Sequence, residues 1–508
     1  MKEGILVKEN NQVKWGAILS YILIVFNSLY GVLITPYMIS SLGEIEYGVY
    51  KAISSFAAVL SIMDMGFGST VMRYVAKYKA SKKDHEIPNF LAMVIIQVSI
   101  LASIIIAVSC CIYPSIRVIY ATTFTEQQLH KAQLLFICLI ANLVFTVFSN
   151  ALNGVINGHN QFVFSNGVNL AKVVIRAMLI IVLLGIFDNS IVIVLINLAL
   201  TLLFIGVDVV YIRKKLTLRI KLTRFDKMVF WESGKYSLLL FFSSIESQVN
   251  SNMDNVFIGS LCGPNYVTVY SVGLLIFGMF QSLSMGIAGV MLPTVTNLVE
   301  NDSKDELFKL IILAGRIQFA LMGAAIIGFA CIGKELLHLW LGGGFDDVYV
   351  ITMILICATI LELCVNTCLS VLRARNQIGF HIGAKFAGTI VNVVATYFAV
   401  KYWSYIGAAV CTAVTFFIAQ VVVMGVYYTK KIGIPILRIY AGIFNRIWIC
   451  LLIAGCGLWV FAKYFHGSIW TFVASIAVFC SIYGIMMLTY GLSEEEKRML
   501  RIGGKNND

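Results

Sequence analysis

The stretch ISSLGEIEYGVY at residues 39–50 returns, altered, as IGSLCGPNYVTVY at residues 258–270. Ser41-Leu42, Tyr47 and Val49-Tyr50 reappear as Ser260-Leu261, Tyr266 and Val269-Tyr270, displaced by 219 or 220 positions. Further along, Asn160-Gln161-Phe162-Val163-Phe164 is answered by Asn376-Gln377-Ile378-Gly379-Phe380, Gly167 by Gly383 and Ala171 by Ala387, at an offset of 216. Met65-Gly66 and Met285-Gly286 also match, each followed by a polar stretch. Three matches near one offset point to a chain made of two similar halves.

These halves are apolar. The 508 residues are 59% hydrophobic and only 13% charged, with a mean hydropathy of +0.87, whereas a soluble domain carries about 25% charge. Long apolar runs without ten-residue alternation predict membrane-spanning helices, each about 20 residues long, and exclude a barrel. Fourteen spans are expected, near 15–39, 47–72, 89–113, 132–152, 161–184, 190–212, 236–259, 266–293, 309–333, 348–372, 380–400, 405–428, 441–463 and 468–490. The first run is too long for a signal peptide and ends without a small-x-small cleavage site, so it reads as the first span.

The net charge of +12 belongs to topology. With the N-terminus inside, 27 of the 38 Lys and Arg fall on cytoplasmic segments, eight of them between Arg213 and Lys235. That asymmetry predicts both termini in the cytoplasm and leaves no role for nucleic-acid binding. The basic segment has two readings: charge-set topology, or an amphipathic strap on an anionic inner leaflet beside Trp231. The twelve cysteines and six histidines form neither a disulfide framework nor a metal set.

The repeat matches displace by six spans, an even number, so both halves take the same orientation. The fold expected is all-α, with two six-helix lobes related by a pseudo-twofold along the membrane normal plus two C-terminal helices. The divisions are 1–212, a basic linker at 213–235, a second lobe at 236–428, and two helices with a tail at 429–508. Two lobes with a seam between them fit a transporter.

Catalytic signatures are missing. The three Gly-Lys pairs, at residues 234, 333 and 504, are followed by Tyr, Glu and Asn, not the Ser or Thr of a nucleotide-binding loop. No enzyme activity and no cofactor are expected. The informative residues are charges at membrane depth, each costing about 2.5–3.5 kcal/mol near the centre of an isolated helix. Lys172 and Arg176 stack one turn apart in the fifth span, an arrangement suited to a diphosphate, or to an ion pair with Glu246 or Glu362. Glu246 has Asn27 as its repeat mate. Lys51, Arg316 and Lys385 complete the set of cavity candidates. Asp64 reads either as a local partner of Arg73 or as an ion-coupling acid.

The segments Ser41-Leu42-Gly43, Tyr47-Gly48-Val49-Tyr50, Asp64-Met65-Gly66-Phe67-Gly68-Ser69 and Arg73-Tyr74-Val75-Ala76 resemble those of a known family. It is the Wzx-type oligosaccharide flippases of the multidrug/oligosaccharidyl-lipid/polysaccharide exporter superfamily. The resemblance implies alternating access around a polar, cationic cavity in the cytoplasmic membrane. It implies as substrate an isoprenoid diphosphate-linked oligosaccharide, such as an O-antigen unit, passing from inner to outer leaflet. Membrane lipids and other polysaccharide-assembly proteins are the implied partners. Two alternatives stay open: a cation-coupled drug exporter of the same superfamily, and a membrane glycosyltransferase, polymerase or ligase.

Overall fold

A computed structural model describes residues 2–64, 66–218, 220–301, 303–375, 377–464, 467–493 and 496–497. Met65 and Asn376 of the repeat matches, Arg219 of the basic segment and the tail beyond residue 497 lie outside them. Every regular element among the described residues is helical. The chain forms two compact units, Met1–Thr268 and Val269–Asp508. In chain order the first holds α1 (Lys2–Leu42), α2 (Glu44–Leu60), α3 (Phe67–Ala80), α4 (Ile87–Tyr120), α5 (Glu126–Gly158), α6 (Phe162–Leu184), α7 (Ser190–Lys214) and α8 (Lys227–Leu261). The helix α9 (Pro264–Glu300) begins there and continues into the second unit. The second unit goes on with α10 (Lys304–Leu341), α11 (Asp346–Cys364), α12 (Thr367–Ala374), α13 (Gly379–Phe416), α14 (Met424–Tyr427), α15 (Ile436–Phe444), α16 (Ile447–Tyr464) and α17 (Ile469–Met486).

Eleven helical segments among the described residues are long and apolar enough to cross a membrane. This is a multi-pass membrane protein, and helices suit it because each satisfies its own backbone groups without water. Three places differ from the fourteen expected. The seventh and eighth spans are present as helices α8 and α9, 35 and 37 residues long, but are not among the eleven. The eleventh and twelfth fall within one segment, Gly379–Ile432, where the chain turns at Ser404 with a left-handed φ of 59°.

Within the first unit, α5 lies against α3 and α7, α1 against α6, and α2 against α8. Small residues bring α3 and α5 into backbone contact. A Cβ at Gly154 would stand 2.4 Å from the Gly68 carbonyl oxygen, so any larger side chain forces the helices apart. At one end the Glu46 carboxylate ties three helices together. It accepts from Lys131 Nζ at 2.7 Å on α5 and from the Ser190 backbone and hydroxyl at 3.0 and 2.6 Å on α7.

The first repeat pair meets itself. Both α2 and α9 start after a glycine at positive φ, Gly43 at 79° and Gly263 at 109°. The Thr268 hydroxyl donates to the Glu44 carbonyl at 2.6 Å, and a Cβ on Gly48 would fall 1.9 Å from the Pro264 carbonyl oxygen. Glycine is required at this crossing.

The second repeat pair recurs in geometry, once in each unit. Gln161 N donates to Ile156 O at 3.2 Å, and Gln377 N donates to Leu372 O at 2.8 Å. Phe164 stacks on Tyr211 with centroids 3.6 Å apart, and Phe380 stacks on Tyr427 at 4.1 Å, both tilted by 11°. All four correspondences keep the offset of 216.

Candidate functional site

The polar interior of the first unit is built where α5, α6 and α7 meet. Lys172, near the middle of α6, donates to Thr201 Oγ1 at 3.1 Å on α7. That hydroxyl also lies 3.0 Å from Asn142 Oδ1 on α5 and 2.8 Å from its own helix at Asn197 O. A lysine in an apolar helix needs such partners, because an ammonium without them carries the desolvation cost of its charge.

One turn on, the Arg176 guanidinium lies 4.1 Å from the centroid of the Tyr30 ring on α1, a stacking that suits its planar, weakly hydrated charge. Its buried Nε has no hydrogen-bond acceptor among the described residues. Neither Lys172 nor Arg176 has a carboxylate within 4.0 Å among those residues. The seam of α1 and α6 is polar elsewhere too: Asn166 Nδ2 donates to Gly16 O at 2.9 Å and Ser20 Oγ at 2.8 Å, and Tyr37 donates to Ile181 O at 2.7 Å.

Toward the other end of these helices lies an acid. Asp208 on α7 is 1% exposed, and its Oδ1 is without a partner among the described residues. Asn153 Nδ2 reaches its Oδ2 at 3.5 Å, the long end for such a bond, while Ser165 donates to Asn153 Oδ1 at 3.1 Å. Lys172 and Asp208 lie within electrostatic range of each other.

The remaining candidates scatter. Lys51 on α2 sits 5.5 Å from the Tyr47 ring centroid, and Tyr47 and Tyr50 lie within electrostatic range of Tyr30. Asn27 is exposed and donates to its own helix at Leu23 O. Glu246 on α8 and Lys385 on α13 are partly exposed, and neither is paired with a described residue. Glu362 lies within electrostatic range of Tyr428 and Tyr440.

Two expectations are corrected. Asp64 does not pair with Arg73: its Oδ2 accepts from Asn150 Nδ2 at 3.1 Å, and the Arg73 guanidinium faces the Tyr236 ring at 4.3 Å. The short 3-10 turn Ser61–Asp64 brings the carboxylate to Asn150 on α5. Arg316 is not free to meet a substrate, because all five of its N–H donors are engaged. Nε donates to Glu496 at 2.6 Å; Nη1 to Gly442 O at 3.2 Å and Asn445 O at 2.9 Å; Nη2 to Gly491 O at 2.6 Å and Glu496 at 3.2 Å. Burial opposes the Glu496 charge, but hydrogen bonds from Arg316 and Ser493 outweigh it and hold its carboxyl below the ordinary value.

Sequence reasoning gave Asp208 no role, and it missed Tyr30, Asn142 and Thr201. Polar residues inside apolar helices were the signal for Asn142 and Thr201. Tyr30 gave none, since tyrosine is common in such helices.

The model of one protein family, described as polysaccharide biosynthesis protein, matches residues 13–299, more than half of the chain. The chain belongs to that family. No curated protein matches this family member in sequence. In structure it is similar to a lipid II flippase, MurJ, in an inward closed conformation. The TM-score is 0.71 at 16% identity, over 96% of this chain and 99% of the other. It is similar as well to an inward-facing multidrug resistance transporter of the MATE family and MOP superfamily. There the TM-score is 0.66 at 13% identity, over 83% of this chain and 95% of that one. The MATE multidrug transporter DinF-BH gives 0.61 at 14% identity, over 83% and 96%. At these identities the likeness establishes the fold alone, the one this chain shares with these three proteins.

Proposed function

We propose that this protein flips an isoprenoid diphosphate-linked oligosaccharide from the inner to the outer leaflet of the cytoplasmic membrane for surface polysaccharide assembly. It is a transporter and carries out no catalysis. The observation that carries the reading is the Lys172–Arg176 pair, two cations one turn apart with no carboxylate within 4.0 Å among the described residues. A diphosphate diester keeps about two negative charges, and moving it through a membrane without cations would be prohibitive. Membership of the polysaccharide biosynthesis family and the flippase fold support the same reading.

In this reading fourteen spans form two six-helix lobes that alternate access, with two further helices at the C-terminal side and both termini in the cytoplasm. An ion gradient or the membrane potential drives the cycle, since no nucleotide-binding loop is present. The decisive experiment is lipid-linked oligosaccharide flipping in proteoliposomes. Lys172→Gln and Arg176→Gln should each slow it at least about tenfold while the protein still inserts. Restored flipping on adding Glu246→Gln or Glu362→Gln would mean instead that the cations serve ion pairs.

A second reading, a cation-coupled exporter of smaller molecules, is favoured by one observation, the buried Asp208 carboxylate with its unpartnered Oδ1. Asp208→Asn should then uncouple drug efflux from an imposed proton or sodium gradient. Unchanged efflux in that variant removes this reading.

A further inference from the structure

The basic segment after α7 is unused by the transport reading, yet the structure gives it a defined shape. Past Lys214 the chain reverses at Thr217, in the left-handed region at φ 54°, and Leu218 N donates back to Ile212 O at 3.3 Å. A side chain at positive φ is uncommon, and such a turn persists where surrounding contacts hold it. Here the far side of the strap is clamped to the start of α4. Lys221 N donates to Pro88 O at 3.4 Å. Asn89 Oδ1 accepts from Thr223 N at 2.8 Å and Arg224 N at 3.0 Å, and Asn89 Nδ2 donates to Arg224 O at 2.8 Å.

This strap closes one end of a groove of about 900 Å³ between α4, α5 and α7. Ile95 and Val98 on α4, Phe148 on α5 and Val209 on α7 form its walls, and Leu218 and Ile220 of the strap fold over its end. Among the described residues one charged residue lines it, Arg213, at the strap end. Arg213 is exposed, has no carboxylate within 4.0 Å among the described residues, and is followed by exposed Lys214 and Lys215. An apolar slot with a cation at its strap end has the chemistry of a single-lipid site: tail in the slot, phosphate on the guanidinium.

We propose that this groove holds one phosphate-headed membrane lipid, an anionic glycerophospholipid of the leaflet on the Arg213 side, with Arg213 on the phosphate and the strap as its floor. The site is separate from Lys172 and Arg176, and a lipid seated there fixes the strap and stabilises the first unit.

The test uses purified full-length protein stripped of lipid in detergent, titrated with phosphatidylglycerol, phosphatidylcholine, isoprenyl monophosphate or inorganic phosphate. Retained lipid is read by native mass spectrometry, and thermal stability is measured in parallel. Phosphatidylglycerol should bind one-to-one and raise the melting temperature, phosphatidylcholine should bind more weakly, and inorganic phosphate should do neither. Arg213→Gln, a change at an exposed position, should weaken phosphatidylglycerol about tenfold. Val209→Trp should block binding by filling the slot, with folding confirmed by helical circular dichroism and a monodisperse elution peak. Equal binding of the two phospholipids, or phosphatidylglycerol binding unchanged in Arg213→Gln, overturns the proposal. So does stabilisation by inorganic phosphate alone, or tighter binding of isoprenyl monophosphate than of phosphatidylglycerol.

Discussion

The two copies of the second repeat share a backbone and differ in what it carries. In the first unit the turn before α6 leads to Lys172 and Arg176. In the second the matching positions, 216 residues on, are Gly388 and Asn392. Around both, the Gln161 and Gln377 turns and the Phe164–Tyr211 and Phe380–Tyr427 stacks are alike. Where the first copy spends a lysine on a cross-helix hydrogen bond, the second brings backbones together: a Cβ on Gly388 would meet Ala419 Cβ at 3.0 Å. Where the first has an arginine stacked on tyrosine, the second has a neutral hub. Asn392 Oδ1 accepts from Thr396 at 3.1 Å, Thr412 at 3.3 Å and Thr415 at 3.0 Å. One scaffold supports a cationic interior in one unit and a neutral, hydrogen-bonded one in the other. The repeat therefore encodes shape, and the chemistry is added position by position.

Exchanging the residues tests that division most severely. Arg176→Asn, which gives the first copy the residue of the second, should leave the protein folded and abolish flipping. The reverse change, Asn392→Arg, should cost about 3 kcal/mol or more, because it buries a charge and removes the acceptor of three hydroxyls. Protein yield and thermal unfolding in detergent would show it. A well-folded Asn392→Arg protein would mean that the second copy tolerates the charge of the first.

A smaller effect is expected from the close approach. Gly388→Leu should lower stability by about 1–3 kcal/mol through overpacking, while Lys172→Leu should change melting much less than it changes transport. Smaller again are the matched aromatic changes. Phe164→Ala and Phe380→Ala should each forfeit a stacking worth about 0.5–1.5 kcal/mol. Unequal losses would show that the shared scaffold is weighted toward one unit.

The mildest test is acid. Because Glu496 has a lowered pKa in the folded protein, its contribution is complete above the ordinary glutamate value of about 4.3. It is lost as pH falls below that value toward the folded pKa. Wild type should lose melting temperature in that acid window relative to Glu496→Gln, with no relative change between pH 6 and 8.

The sequence made the scaffold legible and left the pairing obscure, for a physical reason. Apolar run length and a repeat offset are properties along the chain, so Tyr47 with Tyr266 and Gln161 with Gln377 could be matched by reading. Partners across helices depend on how each helix is rotated about its axis and how far it slides. Asp64 lies nine residues from Arg73 yet turns to Asn150, while Arg316 finds its carboxylate 180 residues away. The i, i+4 stacking of Lys172 and Arg176 was legible because it lies within one helix. Thr201, Asn142 and Tyr30 come from three others.

The distance between Arg316 and Glu496 along the chain has a consequence for biogenesis. α10 is made and inserted long before residue 496 leaves the ribosome, so its guanidinium waits through the synthesis of α11 to α17 for the carboxylate that completes its cage. During that interval the arginine relies on the Gly442, Asn445 and Gly491 carbonyls as they emerge. A chain halted before residue 496 would hold an under-neutralised charge among its helices.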